Sequence, residues 1–320
     1  MSSDPFVVAV VGATATGKSD LADRLAARFG SAVISADSMQ IYRGLDIGTA
    51  KLATNQRRAP HFGIDIVDLN QAYSAAQFQR YARSLIDRYL AQQTIPVVCG
   101  GTGLYLRAAL DDMRFPAGEQ LDNEPRIRWT AFAQQHGEDA LFAQLKQRDP
   151  ASAALLHPHN RKRVIRALEL YEGGESYAQQ AAHFKERTAW YRTCSIGLTM
   201  DRALLYRRID ERVDDMLAQG LVDEAYALFE AGLADTYTAR HAIGYKELFA
   251  YFEKTCTLEE AIEAIKRHSR RYAKRQSTWF RDDARVQWIE VDGIEGDALE
   301  RRALEIVEDF KAKGIDEDCV

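Results

Sequence analysis

The chain has 320 residues, 46% hydrophobic and 28% charged, with a formal net charge of −5 at pH 7. That length supports one large domain or two modest ones with a real core, and no stretch approaches the roughly 18 apolar residues of a membrane-spanning helix, which excludes a helical membrane protein and a membrane partner. The acidic balance excludes a uniformly basic nucleic-acid binder but leaves room for local basic patches.

Met1 to Pro5 carries no basic region, and the apolar run Phe6 to Val11 is too short for a secretory leader, so a cytoplasmic protein is expected. Cys99, Cys194, Cys256 and Cys319 are far apart and form no CxxC pair, so they read as reduced thiols rather than a disulfide framework or zinc site.

In chain order, Phe6 to Val11 reads as a buried strand, Gly12 to Ser19 as a Gly-rich loop, and Asp20 to Phe29 as a helix. Ala32 to Ser35 is a second strand, ending at Ala36-Asp37-Ser38, and Ile64 to Val67 a third. Phe78, Tyr81, Leu85 and Tyr89 fall at helical spacing in Tyr73 to Leu90, with Ser74 as the N-cap. Ile95 to Cys99 is a strand closed by Gly100-Gly101-Thr102-Gly103. The pattern changes at Phe115-Pro116, and from Asp122 to Glu186 it reads as helices with polar connections. Cys194 to Leu198 returns as a strand, followed by helical patterns over Arg202 to Phe229 and Leu258 to Phe280, a late strand over Val286 to Val291, and a closing helix over Asp297 to Lys311. Strands alternating with helices imply a parallel sheet covered on both faces. The expected fold is α/β, a P-loop NTPase-like parallel sheet flanked by helices over residues 1–115 and 195–320, with a helical insertion domain over residues 116–194.

Gly12-Ala13-Thr14-Ala15-Thr16-Gly17-Lys18-Ser19 matches the P-loop pattern, and its place between a strand and a helix is the context that the motif requires. Gly12 and Gly17 let successive N–H groups point inward, the following helix N-terminus adds partial positive charge, and Lys18 supplies a full charge to phosphate oxygens. Ser19 can place its hydroxyl on Mg²⁺. Nucleotide hydrolysis or phosphoryl transfer usually needs an Asp at the end of a second apolar strand, but the strand ending at Cys99 is followed by Gly-Gly-Thr. Asp37, after the strand Ala32 to Ser35, either meets a substrate in the crevice at the strand ends or serves as an Asx-type turn or cap.

Lys266 to Arg281 contains seven Lys/Arg and no Asp or Glu. Lys266, Arg270 and Lys274 repeat every four residues, as do Arg267, Arg271 and Arg275, making two adjacent basic rows on a helix, with Tyr272, Trp279 and Phe280 interleaved. Lys162, Arg163 and Arg166 form a second cluster. Basic patches on an acidic protein point to a local polyanion site.

Several blocks together resemble the tRNA dimethylallyltransferase family: Gly12 to Ser19, Ile34 to Ser38, Tyr42 to Lys51, Tyr73-Ser74-Ala75, Gly100 to Tyr105, Ala242 to Lys246 and Lys274 to Arg281. The resemblance implies transfer of a dimethylallyl group from dimethylallyl diphosphate to N6 of the adenosine just 3′ of the tRNA anticodon. The P-loop would then hold the diphosphate of a prenyl donor with Mg²⁺ near Ser19, and Asp37 would be general base or hydrogen-bond acceptor for the amine. Thr102 would anchor diphosphate or nucleophile. Arg212 matches the family's catalytic arginine, with Arg208 one turn earlier as the fallback; by spacing alone both read as a solvated helix face. The resemblance further implies that Asp37, Ser38, Met39 and Gln40, with His241, Gly244, Tyr245 and Lys246, border the flipped base. Thr102, Arg126, Lys274, Arg275, Gln276, Thr278, Trp279 and Arg281 would touch the tRNA anticodon stem-loop, and the protein would act as a monomer without an obligate protein partner. Ala13 departs from the family, whose close relatives often carry Pro there. His157 and His159 read as loop surface rather than a metal pair. The competing readings are a small-molecule kinase that binds ATP and an RNA-binding protein whose P-loop is vestigial.

Overall fold

The computed structural model describes residues 5–115 and 123–316. Pro116, Asp122 and Cys319, which figure in the sequence expectations, lie outside them. Two compact units are present: residues 1–111 with 189–320, and residues 112–188.

The first unit begins with β1 (Val7–Gly12) and α1 (Lys18–Arg28). It continues through β2 (Val33–Ser35), β3 (His61–Phe62), α2 (Ala75–Ala91), β4 (Val97–Gly100) and α3 (Gly103–Leu110). The second unit holds α4 (Glu124–Arg148), α5 (Pro150–Ala154), α6 (Arg161–Glu172) and α7 (Tyr177–His183). The chain returns to the first unit through β5 (Thr193–Thr199), α8 (Arg202–Ala218), α9 (Leu221–Glu230), α10 (Lys246–Phe252), α11 (Leu258–Arg281), β6 (Val286–Glu290) and α12 (Gly296–Asp316).

The six strands form one sheet in the order β3-β2-β4-β1-β5-β6, and every pairing is parallel. β1 is central and apolar throughout because both faces are covered. Val7, Ala9 and Val11 pack into one cluster with Phe78 and Ile86 of α2 and Leu106 of α3. Val8 and Val10 point into the other, against Leu21 and Leu25 of α1 and Leu299 and Val307 of α12. Each buried valine contributes about 1.5 kcal/mol or more relative to exposure. The shared direction of the strands collects the β1, β2 and β4 exits at one end of the sheet, where ligands of such folds bind.

Local chemistry explains the element ends. Ser74 caps α2 in a full capping box with Gln77, and Thr257 does the same for α11 with Glu260. Two expectations fail. The pattern over Arg202 to Phe229 is two helices, because Gly220 adopts a left-handed φ of 99° between them. The third strand is His61–Phe62 rather than Ile64 to Val67; positive φ at Gly63 and Asp65 turns the chain, leaving Val67 only a single bridge to Tyr42.

The second unit has its own core of Trp129, Leu141, Leu145, Val164 and Leu168. Gly137 breaks α4 into two segments (φ 84°, ψ 173°). Asp149 caps α5 through Ser152 N–H and also accepts from Ser176, tying α5 to the start of α7. The unit begins and ends a few residues earlier than the 116–194 expected. The backbone closes at a bridge between Asp111 and Ala189, and Trp190 N–H donates to Leu110 O at 2.8 Å, so the return to the sheet is already made there.

Candidate active site

The P-loop leaves β1 at Gly12, where a Cβ would stand 2.7 Å from Leu198 O of the adjacent strand. Gly12, Ala15 and Gly17 all have positive φ (143°, 64° and 87°), which turns the intervening amides toward one side. For Ala15 that conformation costs about 1 kcal/mol, a strain that an anion cradle accounts for. Thr16 Oγ1 and Lys18 Nζ both donate to Ala13 O, at 2.8 and 2.9 Å, closing the loop on itself. α1 begins at Lys18, so its free N-terminal amides face the same space.

Asp37 follows β2 and combines both readings of its sequence position. Its Oδ1 accepts from Met39 N–H (2.8 Å) and Gln40 N–H (3.3 Å), an Asx turn, and the residue also lines the central cavity. Thr102 buttresses the turn: its Oγ1 accepts from Ser38 N–H at 3.1 Å, and its own N–H donates to Ala36 O at 3.2 Å. Thr102 itself is not part of the cavity wall and reaches it through Ser38. Gly100 is a steric requirement, since a Cβ there would lie 2.2 Å from the backbone Ala36 O; one at Gly101 would stand 2.0 Å from Gln276 Nε2, so that amide would have to move. An Asp at the end of β4 therefore has no room.

The cavity measures about 290 Å³, and Lys18, Ser19, Asp37, Arg212, Tyr272 and Gln276 contribute to its wall. Burial, the largest cause, holds Lys18 below the usual ammonium range; Arg212 adds to this, while Cys99 and Asp37 oppose it. Burial likewise lowers Arg212, with Asp37 opposing. Neither cation has a carboxylate ion-pair partner among the described residues. Two half-buried, unneutralised cations around one cavity mark a site for an anion. Burial pushes the neighbouring Cys99 thiol and Tyr272 phenol up to about 12, so both are neutral.

The remaining candidates divide. Met39, Gln40, His241, Gly244 and Lys246 line the cavity with Asp37 and Ser38. Tyr245 is fully buried, its hydroxyl donating to Glu224 (2.6 Å) and accepting from Gly48 N–H (3.0 Å), so it supports the wall and offers no surface to RNA. Glu224 also accepts from Ile47 N–H at 3.0 Å. It thus joins the Tyr42 to Lys51 block to the Ala242 to Lys246 block, and no sequence spacing revealed it. Arg208, the fallback arginine, is directed to Glu295 at 2.5 Å and is absent from the cavity wall. On α11, Lys274, Arg275, Thr278, Trp279 and Arg281 are exposed, whereas Gln276 is 5% exposed and bonded inward. The basic rows are less free of acids than the local sequence implies, because α8 packs alongside and pairs Asp214 with Lys266 (2.7 Å) and Asp210 with Arg270 (2.5 Å). Arg267, Arg271, Lys274, Arg275 and Arg281 make no ion pair among the described residues. In the second unit, Lys162 and Arg163 are exposed, but Arg126 pairs with buried Glu169 at 2.7 Å. Arg166 is half-buried near the same carboxylate, and burial lowers its pKa with Glu169 opposing. Arg126 thus ties α4 to α6, while Arg166 and Glu169 lie one turn apart on α6 itself.

A further node went unread in the sequence. Asp23 of α1 is fully buried and accepts from Arg58 N–H (3.0 Å), Ala59 N–H (3.2 Å) and His61 Nε2 (2.8 Å). Its signal was a lone acid among Leu21, Ala22, Leu25 and Ala26 on the core face of α1. Burial, the largest cause, holds His61 below its ordinary value; burial alone would raise Asp23, but its hydrogen bonds from His61, Arg58 and Ala59 lower it overall. Above pH about 6.5 the imidazole is neutral whether the chain is folded or not and costs nothing. As pH falls below that value the unfolded chain takes up a proton that the folded chain resists, so stability drops. The Asp23 share is present above its unfolded value near 3.8 and is lost as pH falls through the lower folded value. Urea midpoints should therefore decline between pH 7.5 and 5.5, and His61→Gln, which keeps a donor and removes the titration, should flatten that decline.

The donor set constrains any metal. Among the described residues no three His, Cys, Asp or Glu side chains cluster as a metal cage. The cavity lining holds one carboxylate, Asp37, and several hydroxyls, of which Ser19 is the one that directly follows the P-loop lysine. A single carboxylate with hydroxyls fits a Mg²⁺ that would take part of its oxygens from a phosphate ligand.

Comparison with known proteins agrees with this architecture. The IPP transferase family profile matches residues 40–283, and an isopentenyl transferase profile matches residues 5–58. A protein of Geobacillus thermodenitrificans named tRNA dimethylallyltransferase is 46% identical over 286 residues, covering 89% of this chain and 90% of its own. A namesake from Anoxybacillus flavithermus is 43% identical, covering 96% of each chain. Among solved structures, the full-length tRNA isopentenylpyrophosphate transferase of Bacillus halodurans aligns with a TM-score of 0.73 at 39% identity, covering 99% of this chain and 100% of its own. A eukaryotic dimethylallyltransferase described as acting on tRNA aligns with a TM-score of 0.84 at 28% identity, covering 97% of this chain and 80% of its own. Among the described residues no helix is long and apolar enough to cross a membrane. With a profile match over most of its length and relatives at this identity and coverage, the chain belongs to the IPP transferase family.

Proposed function

We propose that the protein transfers a dimethylallyl group from dimethylallyl diphosphate to N6 of the adenosine just 3′ of the tRNA anticodon, giving N6-(dimethylallyl)adenosine and diphosphate. The observation that carries this reading is that Lys18 and Arg212, with no carboxylate in an ion pair with either among the described residues, and one carboxylate, Asp37, line the same cavity. A leaving diphosphate needs the cations, and an attacking amine needs the carboxylate. In the reaction the N6 lone pair forms a bond to C1 of the dimethylallyl group as the C1–O bond breaks, and its electron pair leaves with the diphosphate. The P-loop amides, Lys18 and Arg212 stabilise the departing negative charge. Asp37 accepts the proton that N6 loses. Ser19 would hold Mg²⁺ from the protein side, and the ion would add charge neutralisation to the diphosphate.

The adenosine must leave its stack to enter such a cavity, so the RNA is gripped through its backbone. The exposed basic residues of α11 suit that role, with Trp279, 42% exposed, beside them for stacking. Lys162 and Arg163 of α6 are the second contact, and the protein acts in the cytoplasm as a monomer. Replacing Lys274 and Arg275 together with Gln should weaken tRNA binding uniformly across sequences and reduce the slope of log K against log salt by roughly one to two units, read from binding isotherms at several ionic strengths.

The alternative is a kinase that uses ATP, and the closed steric environment after β4 disfavours it. One assay separates them: unmodified tRNA with an A-A-A run beside the anticodon is incubated with labelled dimethylallyl diphosphate and Mg²⁺. Label in that adenosine is the expected result; unlabelled RNA together with consumption of added ATP would falsify the transferase reading.

A further inference from the structure

Gln276 stands apart from its neighbours on α11. Arg271, Lys274, Arg275 and Thr278 are exposed, but Gln276 lies on the buried face with Ala273 and Phe280. Its Oε1 accepts from Thr14 N–H of the P-loop at 2.9 Å, and its Nε2 donates to Gly101 O at 3.0 Å. One amide thus spans the loop after β1 and the turn after β4, and both of its hydrogen-bonding functions are used. The approach is tight on both sides. A Cβ at Gly101 would meet Gln276 Nε2 at 2.0 Å, and one at Gly103 would meet Trp279 Nε1 at 2.0 Å. The Gly-Gly-Thr-Gly turn is therefore shaped to receive α11.

We propose that Gln276 is a positioning residue for the diphosphate cradle: it pins the P-loop at Thr14 to the β4 turn, so the helix that presents the basic residues also sets the shape of the phosphate site. The inference rests on the proposed prenyl transfer and adds a residue to it that acts through the P-loop rather than on RNA. Because Thr14 N–H is held by Gln276, that amide orients the loop while the remaining P-loop amides and Lys18 face the diphosphate. Only an amide performs this function among side chains of this length, since one end must accept and the other donate.

The test compares native protein with Gln276→Met, which keeps the length and loses both bonds, and Gln276→Asn, which stays polar in a buried position but is one methylene too short to span both partners. Three quantities are read: affinity for inorganic diphosphate with Mg²⁺ by calorimetry, KM for the prenyl donor against kcat, and affinity for tRNA. Both variants should weaken diphosphate binding and raise donor KM by about tenfold, with tRNA affinity within about twofold of native. Asn keeps the site polar if Met fails to fold. Unchanged diphosphate affinity in either folded variant overturns the proposal, and so does a loss confined to tRNA affinity, which would make Gln276 an RNA contact. Inorganic diphosphate binding needs no transfer reaction, so native protein that binds it but labels no tRNA would count against the prenyl-transfer reading and leave the clamp still measured.

Discussion

Asp37→Asn should lower single-turnover transfer by about a thousandfold while leaving tRNA affinity within about twofold, because a general base contributes roughly 10²–10⁴ in rate. The structure dictates the choice of substitution. Asp37 Oδ1 holds Met39 N–H and Gln40 N–H, so alanine would release the turn along with the base. Gln40 in turn donates to Thr49 O at 3.0 Å and accepts from Ser35 Oγ at 2.9 Å, so a released turn would disturb the cavity wall. Asparagine keeps an oxygen acceptor for the two amides and removes only the capacity to take a proton at neutral pH. Quench-flow with excess enzyme measures the chemical step, and filter binding measures the RNA. A variant that loses tRNA affinity and keeps its rate at saturating RNA would make Asp37 an anchor for the RNA instead of a base.

The second large effect belongs to Arg212. Arg212→Gln should reduce kcat by about 10²–10³, the usual loss when one preorganised donor to a developing anion is removed. The guanidinium sits in a half-buried position with no carboxylate partner among the described residues, and its cost of burial is offset once the leaving diphosphate gathers charge. A substitution that removes an uncompensated buried cation should also leave the unliganded protein as stable as native or slightly more so. Falling kcat with an unchanged or raised thermal midpoint is therefore the expected combination. Arg208→Gln is the control: that side chain pairs with Glu295 and should leave kcat within about twofold. Equal losses from the two substitutions would show that α8 acts through its fold rather than through Arg212.

Much of the sheet was legible because its signals are local. β1, β4 and β5 announce themselves as apolar runs, and α2 and α11 carry helical spacing with side chains that cap their first turns. The P-loop was legible for the same reason, since its glycines, Lys18 and Ser19 are consecutive and lie between a strand and a helix. The failures came where one residue's backbone overrode a longer pattern, at Gly220 between α8 and α9 and at Gly63 and Asp65 after β3.

The sequence by itself determined a Gly-rich P-loop sequence on a parallel sheet, the carboxylate that follows β2 and a basic helix near the end of the chain. Tertiary structure alone decided how these act together. Gln276 belongs to the basic helix by sequence and to the P-loop by contact. Lys266 and Arg270 look unpaired along α11 and are paired by α8. Tyr245 lies in a segment expected to face RNA and is buried against Glu224. Arg208 and Arg212 are one turn apart, yet only Arg212 reaches the cavity. In each case the deciding partner lies 20 or more positions away, so its effect comes from packing geometry, which residue spacing along one element does not encode.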